Sequence, residues 1–358
     1  MMVDLTRFLA CPTDCIRAVM ACIDRNAKGI ALVVDLDRRL IGTITDGDIR
    51  RAILAGVDLD LPAQTLLDRR AATAHPQPLT ARAGTSDAEL LRRMNEHGLR
   101  HIPLVDEAGR VVDVALLSDL IKGYELPLVA VVMAGGYGRR LRPLTEDVPK
   151  PMLPVGDRPL MEHIVTQLRD AGIRQVSITT HYKPEAITQH FGNGERFGVQ
   201  INYLNEERPL GTAGALGVMR SPKEPILVVN GDILTRVDFR AMLDHHREHQ
   251  ADMTVGVRQY DLKVPYGVIE SDGPRVRRVR EKPIYNFLTN AGIYLLEPAV
   301  VRHIPDGQRL DMTDLIQRMV EEGRTVVSFP IVEYWLDIGQ HVDYEQAQED
   351  VRSGRLRT

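Results

Sequence analysis

Short runs of aliphatic and β-branched residues, each closed by an acidic or glycine-bearing turn, recur along the first third of the chain. Ile30-Ala-Leu-Val-Val-Asp35 and Arg39-Leu-Ile-Gly-Thr-Ile-Thr-Asp-Gly-Asp-Ile49 predict two strands and the start of a helix. A weaker copy follows as Ile102-Pro-Leu-Val-Asp106 and Arg110-Val-Val-Asp-Val-Ala-Leu-Leu-Ser-Asp-Leu120. A stretch with apolar residues at helical spacing precedes each copy. In the first, Thr13 or Asp14 is expected to cap a helix that turns Ala18, Val19, Cys22 and Ile23 inward. In the second, Thr85 or Ser86 caps one carrying Leu90, Leu91 and Met94. The connector Lys122-Gly-Tyr-Glu-Leu-Pro127 joins Gly and Pro in few residues, a usual boundary signal.

Beyond the connector the pattern changes to apolar β-rich runs alternating with helical stretches. Strands are predicted at Leu128 to Met133, Gln175 to Thr180, Ile201 to Leu204 and Ile226 to Val229, and a helix at Leu160 to Ala171. That alternation implies an α/β domain with a mostly parallel sheet and helices on both faces, whose ligands bind at the carboxyl ends of the strands. The expected division is a duplicated α+β module over residues 1–122, with copies at about 7–62 and 63–122, and an α/β domain over 128–350.

Composition narrows the class. Of the 358 residues, 44% are hydrophobic and 26% charged, with a net charge of -4, which suits a folded protein and gives no basis for nucleic-acid binding. The longest apolar stretch, around Leu126 to Ala134, falls short of the roughly 20 residues that cross a bilayer, so no membrane association is expected. Cys11, Cys15 and Cys22 have no second Cys or His pair at zinc-site spacing, and a reduced, cytoplasmic protein is expected.

The chemistry concentrates after the first strand of the second domain. Ala134-Gly-Gly-Tyr-Gly-Arg-Arg-Leu-Arg-Pro-Leu-Thr145 is followed by Pro149-Lys-Pro-Met-Leu-Pro154. Gly135, Gly136 and Gly138 let backbone amides approach a polyphosphate, and Arg139, Arg140 and Lys150 surround it with positive charge. A dinucleotide fingerprint would need a glycine where Leu141 stands and a helix where Pro143 stands, and no Gly-Lys-Ser or Gly-Lys-Thr of a Walker loop is present. Singly, Asp232 reads as a turn residue, Asp337 as a turn cap and Lys282 as a solvated charge. Their recurrence in order at strand ends favours a shared site.

This long motif resembles that of the nucleotide-sugar pyrophosphorylases, or sugar-1-phosphate nucleotidyltransferases. Arg139 replaces the Thr common in that family. The resemblance implies a Rossmann-like sheet of the nucleotide-diphospho-sugar transferase type, with NTP and sugar-1-phosphate as substrates and Mg²⁺ as cofactor. It assigns Arg140 and Lys150 to the triphosphate, Lys282 to the attacking phosphate, and Asp232 and Asp337 to the metal. Gly211 and Thr212 of Gly211-Thr-Ala-Gly-Ala215 would close over the base. Gly267, Glu281, Asn290 and Gly292 would contact the sugar. The family's base-reading position is Glu206, whose carboxylate suits the two adjacent donors of guanine, so GTP is the first choice over UTP.

The duplicated N-terminal pattern resembles a pair of cystathionine-β-synthase-type (CBS) domains, which commonly bind AMP, ADP or ATP. That implies regulatory contacts at Thr45, Asp48 and Asp119. Leu116 stands where the second copy should carry a hydroxyl, and Asp113 where it should carry Gly. Thr45 and Asp48 read equally as the cap of the helix that follows. Such a pair ahead of a transferase is similar to the glucosamine-1-phosphate guanylyltransferases of legionaminic acid synthesis, which makes glucosamine-1-phosphate the first sugar. Mannose-1-phosphate guanylyltransfer, hexosamine-1-phosphate uridylyltransfer and a non-catalytic nucleotide sensor stay open. CBS modules often pair, so a homo-oligomer is expected.

Overall fold

The computed structural model describes residues 4–71, 77–121, 125–219 and 222–356. The duplicated pattern folds as two matching units. The first comprises β1 (Leu9–Ala10), α1 (Ile16–Asn26), β2 (Ile30–Val34), β3 (Leu40–Thr45), α2 (Asp46–Leu54) and α3 (Gln64–Ala71). In its sheet β1 runs parallel and β3 antiparallel to β2. The second comprises β4 (Ala81–Arg82), α4 (Asp87–His97), β5 (His101–Val105), β6 (Val111–Leu116) and a short α5 (Leu117–Leu120), with the same strand order and senses. A buried cluster including Phe8, Leu32, Val34, Val111 and Val114 joins the copies.

Ser86 caps α4 by accepting the Glu89 amide at 3.4 Å. The start of α1 corrects the sequence reading. Neither Thr13 nor Asp14 caps it; Cys15 holds the cap position without a side-chain bond, and Asp14 accepts the Cys11 amide instead. The physical reason lies outside the helix: the Ile16 and Arg17 amides donate to the carbonyls of Leu61 and Leu59, both at 2.9 Å, so these first-turn donors need no side chain. Val19, Cys22 and Ile23 are buried as expected, whereas Ala18 faces solvent. Burial pushes the Cys22 thiol up, as suits a packing residue. Of the connector, Lys122 to Tyr124 lie outside the described residues.

The second domain opens with β7 (Val129–Met133), the hairpin β8 (Pro154–Val155) and β9 (Arg158–Pro159), α6 (Leu160–Asp170), β10 (Gln175–Thr180), α7 (Pro184–Phe191) and β11 (Gln200–Asn205). It continues with α8 (Gly211–Gly214), β12 (Ile226–Asn230), β13 (Ile233–Thr235), α9 (Phe239–Glu248), β14 (Met253–Lys263), β15 (Val268–Asp272), β16 (Arg275–Arg280) and β17 (Ile284–Leu296). The last elements are α10 (Met312–Glu321), β18 (Val326–Pro330), β19 (Trp335–Asp337) and α11 (His341–Arg352).

Seven strands form one sheet in the order β11-β10-β7-β12-β17-β14-β18, and only β17 runs against the others. The expected mostly parallel sheet is therefore present. Ala130 and Val132 of β7 pack into one core with Met161 and Ile164, while Val131 packs into a second with Ala213 and Leu315. Burial on both faces explains why this strand reads as a continuous apolar run. Strand order departs in opposite directions from β7 and β12, so their carboxyl ends border a crevice where α/β sheets take ligands. Beside the sheet, β13 pairs antiparallel with β19, and β15 with β16.

Candidate functional site

The crevice is built on the turn that leaves β7. A side chain at Gly135 would place its Cβ 2.7 Å from Glu206 Oε1, and Gly138 adopts φ +62° with Lys150 and Thr145 only 3.0 Å from a Cβ. The left-handed backbone at Gly138 therefore demands glycine, while a side chain at Gly135 would have to push the Glu206 carboxylate aside. At Gly136 a Cβ would meet nothing within 4 Å, so backbone lies bare toward open space. The Thr145 hydroxyl donates to the Gly138 carbonyl at 2.9 Å and closes the loop. Arg139 lies 5.2 Å over the Tyr137 ring, whose hydroxyl is 3.0 Å from His181 Nε2.

A cavity of about 320 Å³ opens between this loop, Lys150 and Asp232. Gly231 donates its amide to the Met133 carbonyl at 2.9 Å, and a Cβ there would sit 2.6 Å from that oxygen; glycine thus brings the turn after β12 against β7. Lys150 Nζ reaches Asp232 Oδ2 at 2.5 Å. Asp337 ends β19 opposite Ile233, and the Ile338 amide donates to the Asp232 carbonyl at 3.0 Å. Burial, then the charge of Asp232, push the Asp337 carboxyl above its ordinary range, while Lys150 and Arg140 oppose the shift. The structure thus brings Arg140, Lys150, Asp232 and Asp337 together from separate segments.

Their donor set suits a hard cation. Asp232 and Asp337 offer carboxylate oxygens, and Asn230 Oδ1, two residues before Asp232 in the same turn, is buried without a hydrogen-bond partner. No group of three or more His, Cys, Asp or Glu able to hold a metal occurs among the described residues. Mg²⁺ fits such a sparse set, because it takes one or two carboxylates and completes its shell with phosphate and water oxygens.

The other residues singled out in the sequence lie on further segments, of which those of Glu206 and Gly292 reach this centre through Gly135 and Asn230. Glu206 is 8% exposed; its Oε2 accepts the Leu210 amide at 2.9 Å, and burial raises its carboxyl. Gly211 adopts φ +78° against Asp311 and Leu310. The Thr212 hydroxyl accepts the Met312 amide at 2.8 Å, which commits it to the start of α10. Asn290 accepts the Gly292 amide at 3.0 Å, and a Cβ at Gly292 would collide with the Asn230 side chain. Gly267 and Glu281 face each other on the β15–β16 hairpin. Lys282 is exposed beyond that hairpin with φ 46°, and makes no hydrogen bond or ion pair among the described residues.

In the first copy Thr45 and Asp48 form a capping box on α2: Asp48 accepts the Thr45 amide at 2.8 Å, and Thr45 accepts the Asp48 amide at 3.4 Å. Asp48 also pairs with Arg51 at 2.7 Å. Asp119 pairs with Lys28 of the other copy at 3.6 Å. Sequence reasoning missed Asn230 as a site residue and Asp46 as a buried charge. The Asn-Gly-Asp turn contained the first signal; nothing local marks the second.

The model of the nucleotidyl transferase family matches residues 129–354, and that of the CBS domain matches 13–55 and 72–125. The mannose-1-phosphate guanylyltransferase of Mycobacterium tuberculosis is 34% identical over 235 residues, covering 63% of this chain and 65% of that protein. The catalytic subunit beta of the Danio rerio mannose-1-phosphate guanylyltransferase is 33% identical over 246 residues, covering 63% of this chain and 68% of that protein. The chain thus spans about two thirds of the length of these curated relatives. A solved Bacillus anthracis structure, described as a candidate glucose-1-phosphate thymidylyltransferase in complex with sucrose, has a TM-score of 0.51 and 25% identity, covering 63% of this chain and 95% of that one. The glycine loop, the carboxylates beyond it and this match over most of the second domain lead to one conclusion: the chain belongs to the nucleotidyl transferase family, with CBS domains preceding its transferase domain.

Proposed function

We propose that the chain transfers a guanylyl group from GTP to mannose-1-phosphate and releases pyrophosphate. The observation that carries the reading is the convergence of Arg140, Lys150, Asp232 and Asp337 beside the bare backbone of Gly136. An oxygen of the sugar phosphate must attack the α-phosphorus in line with departing pyrophosphate, so two anions approach while charge grows on the leaving group. Catalysis is then chiefly electrostatic. Arg140 and Lys150 neutralise the triphosphate, and Lys282 holds the attacking phosphate from the hairpin side. Asp232 and Asp337 hold Mg²⁺, which supplies charge neutralisation at the reacting phosphates. The attacking oxygen is already ionised at pH 7, so no general base is needed.

Two observations support guanine and mannose. The relatives named above are mannose-1-phosphate guanylyltransferases. Glu206 also lies against Gly135 inside the nucleotide loop. Glucosamine-1-phosphate, favoured from domain order alone, has no comparable support. Pyrophosphate release measured with GTP or UTP against mannose-1-phosphate, glucosamine-1-phosphate and N-acetylglucosamine-1-phosphate tests the assignment; a better pair than GTP with mannose-1-phosphate overturns it. Asp232→Ala is expected to fold and to lose about 10²-fold or more in kcat.

The CBS pair is proposed to take an adenosine nucleotide in a cavity of about 600 Å³, lined by Lys28, Asp46, His101 and Ser118 of both copies and by Arg236 of the transferase domain. Asp46 Oδ1 and Arg236 Nε are buried there without partners, an acceptor and a donor suited to a ribose hydroxyl and a phosphate. Asp46, rather than Thr45 or Asp48, lines this space. Calorimetry of the full chain with AMP, ADP and ATP tests it, and no heat with any of them refutes it. A homo-oligomer is part of the same proposal; sedimentation showing only monomer would remove it.

A further inference from the structure

The two carboxylates assigned to the metal lie on one end of a short ribbon, and the CBS module grips the other end. Asp232 precedes β13 and Asp337 ends β19, which pairs with it antiparallel. At the far end Arg236 follows β13 and Tyr334 precedes β19; the Arg236 amide donates to the Tyr334 carbonyl at 2.9 Å. Asp24, on α1 of the first CBS copy, accepts at one oxygen from both sides. Its Oδ1 receives the Tyr334 amide at 3.0 Å and the Arg236 guanidinium at 2.8 Å.

A second grip comes from α2. Arg50, with a side chain 4% exposed, donates to Glu333 Oε1 at 2.6 Å and to the Pro330 carbonyl at 3.0 Å, and lies 4.2 Å over the Phe329 ring. Pro330 ends β18, and Glu333 lies just before β19. Asp24 and Arg50 therefore hold the segment that delivers Asp337. Three residues per strand span only about 10 Å, so a displacement at the gripped end reaches the carboxylates with little damping.

We propose that Asp24 and Arg50 are positioning residues, which set the placement of Asp337 against Asp232 and make metal affinity depend on the CBS module. The inference rests on the transferase reading, in which these carboxylates hold the metal. The contacts of the second copy serve as a control: Arg100 pairs with Asp238 at 2.8 Å and with Asp244 on α9, bonds no residue of β13 or β19, and reaches Glu333 only through the Asp238 amide at 3.2 Å.

The test is a Mn²⁺ titration of the full chain with a non-hydrolysable GTP analogue, followed by the electron paramagnetic resonance of the free ion and read against the analogue alone, whose phosphates bind Mn²⁺ themselves. Asp24→Ala is expected to weaken Mn²⁺ binding about tenfold, the lower end of what losing a direct partner of a metal ligand costs, because Asp24 acts on the ligands only through the ribbon. Asp24→Asn keeps the accepting oxygen and should stay within about twofold of the parent. Unchanged affinity in Asp24→Ala overturns the proposal, as does an equal loss in Arg100→Met. Should Asp24→Ala fail to fold, Arg50→Met combined with Glu333→Gln and Asp46→Asn removes the second grip without leaving a lone buried charge, and the same two outcomes apply. A parent that binds Mn²⁺ but transfers no nucleotide would defeat the transferase reading alone, whereas one that binds no Mn²⁺ defeats both.

Discussion

Glu206 lies so near Gly135 that any side chain there would strike its carboxylate. One oxygen is committed to the Leu210 amide, which fixes the group's orientation, and burial raises its carboxyl. Glu206→Gln exchanges an acceptor for a donor and should lower kcat/KM for GTP about 10- to 100-fold relative to UTP. The accepting form is lost as pH falls through a raised carboxyl range. The KM for GTP should therefore begin to rise at a higher pH than an ordinary Glu would give, and Glu206→Gln should abolish that dependence. Steady-state kinetics between pH 5 and 8 reads both. At this scale the phosphate loop was legible, because Gly135, Arg140 and Lys150 stand in one contiguous motif. Asp24 and Glu333 were not, because their roles arise only from contacts between distant segments.

Among the elements, α2 begins with a charge in an awkward place. Asp46 is pushed up to about 7, by burial first and by the charge of Glu333 second, with Arg50 opposing and Asp238 and Arg100 acting more weakly. A carboxyl whose folded pKa exceeds its unfolded value stabilises fully below the unfolded value and loses that contribution as pH rises through the folded one. The window here runs from the ordinary aspartate value of 3.8 to about 7. Asp46→Asn should therefore gain thermal stability over the parent progressively between these limits; melting curves with a constant gap would contradict this. The long elements were readable from periodicity, and β10 matches its expected limits. The ribbon of β13 and β19 was not, since strands of three residues carry too little alternation to register.

For the whole molecule, the buried pair of Arg50 with Glu333 makes docking of the two modules a matter of stability as well as geometry. Arg50→Met alone leaves the carboxylates of Glu333 and Asp46 buried without their cation and should cost about 3–5 kcal/mol, visible in calorimetry as a lowered Tm. The triple change with Glu333→Gln and Asp46→Asn, which removes both carboxylates, should recover most of that loss. Sequence pattern disclosed two modules and their order, but not the face on which they meet, because Arg50 reads in isolation as one more polar position on an amphipathic helix.

The internal duplication gives this arrangement a history. The spacing that separates Leu40 from Val111 also separates Asp46 from Leu117, so Asn95 and Ile121 are the later counterparts of Asp24 and Arg50. Neither can offer the same carboxylate or guanidinium. Twin copies have thus come to hold different parts of the transferase: the earlier one clasps the ribbon that carries the carboxylates, while its sibling ties itself through Arg100 to the helix beside it.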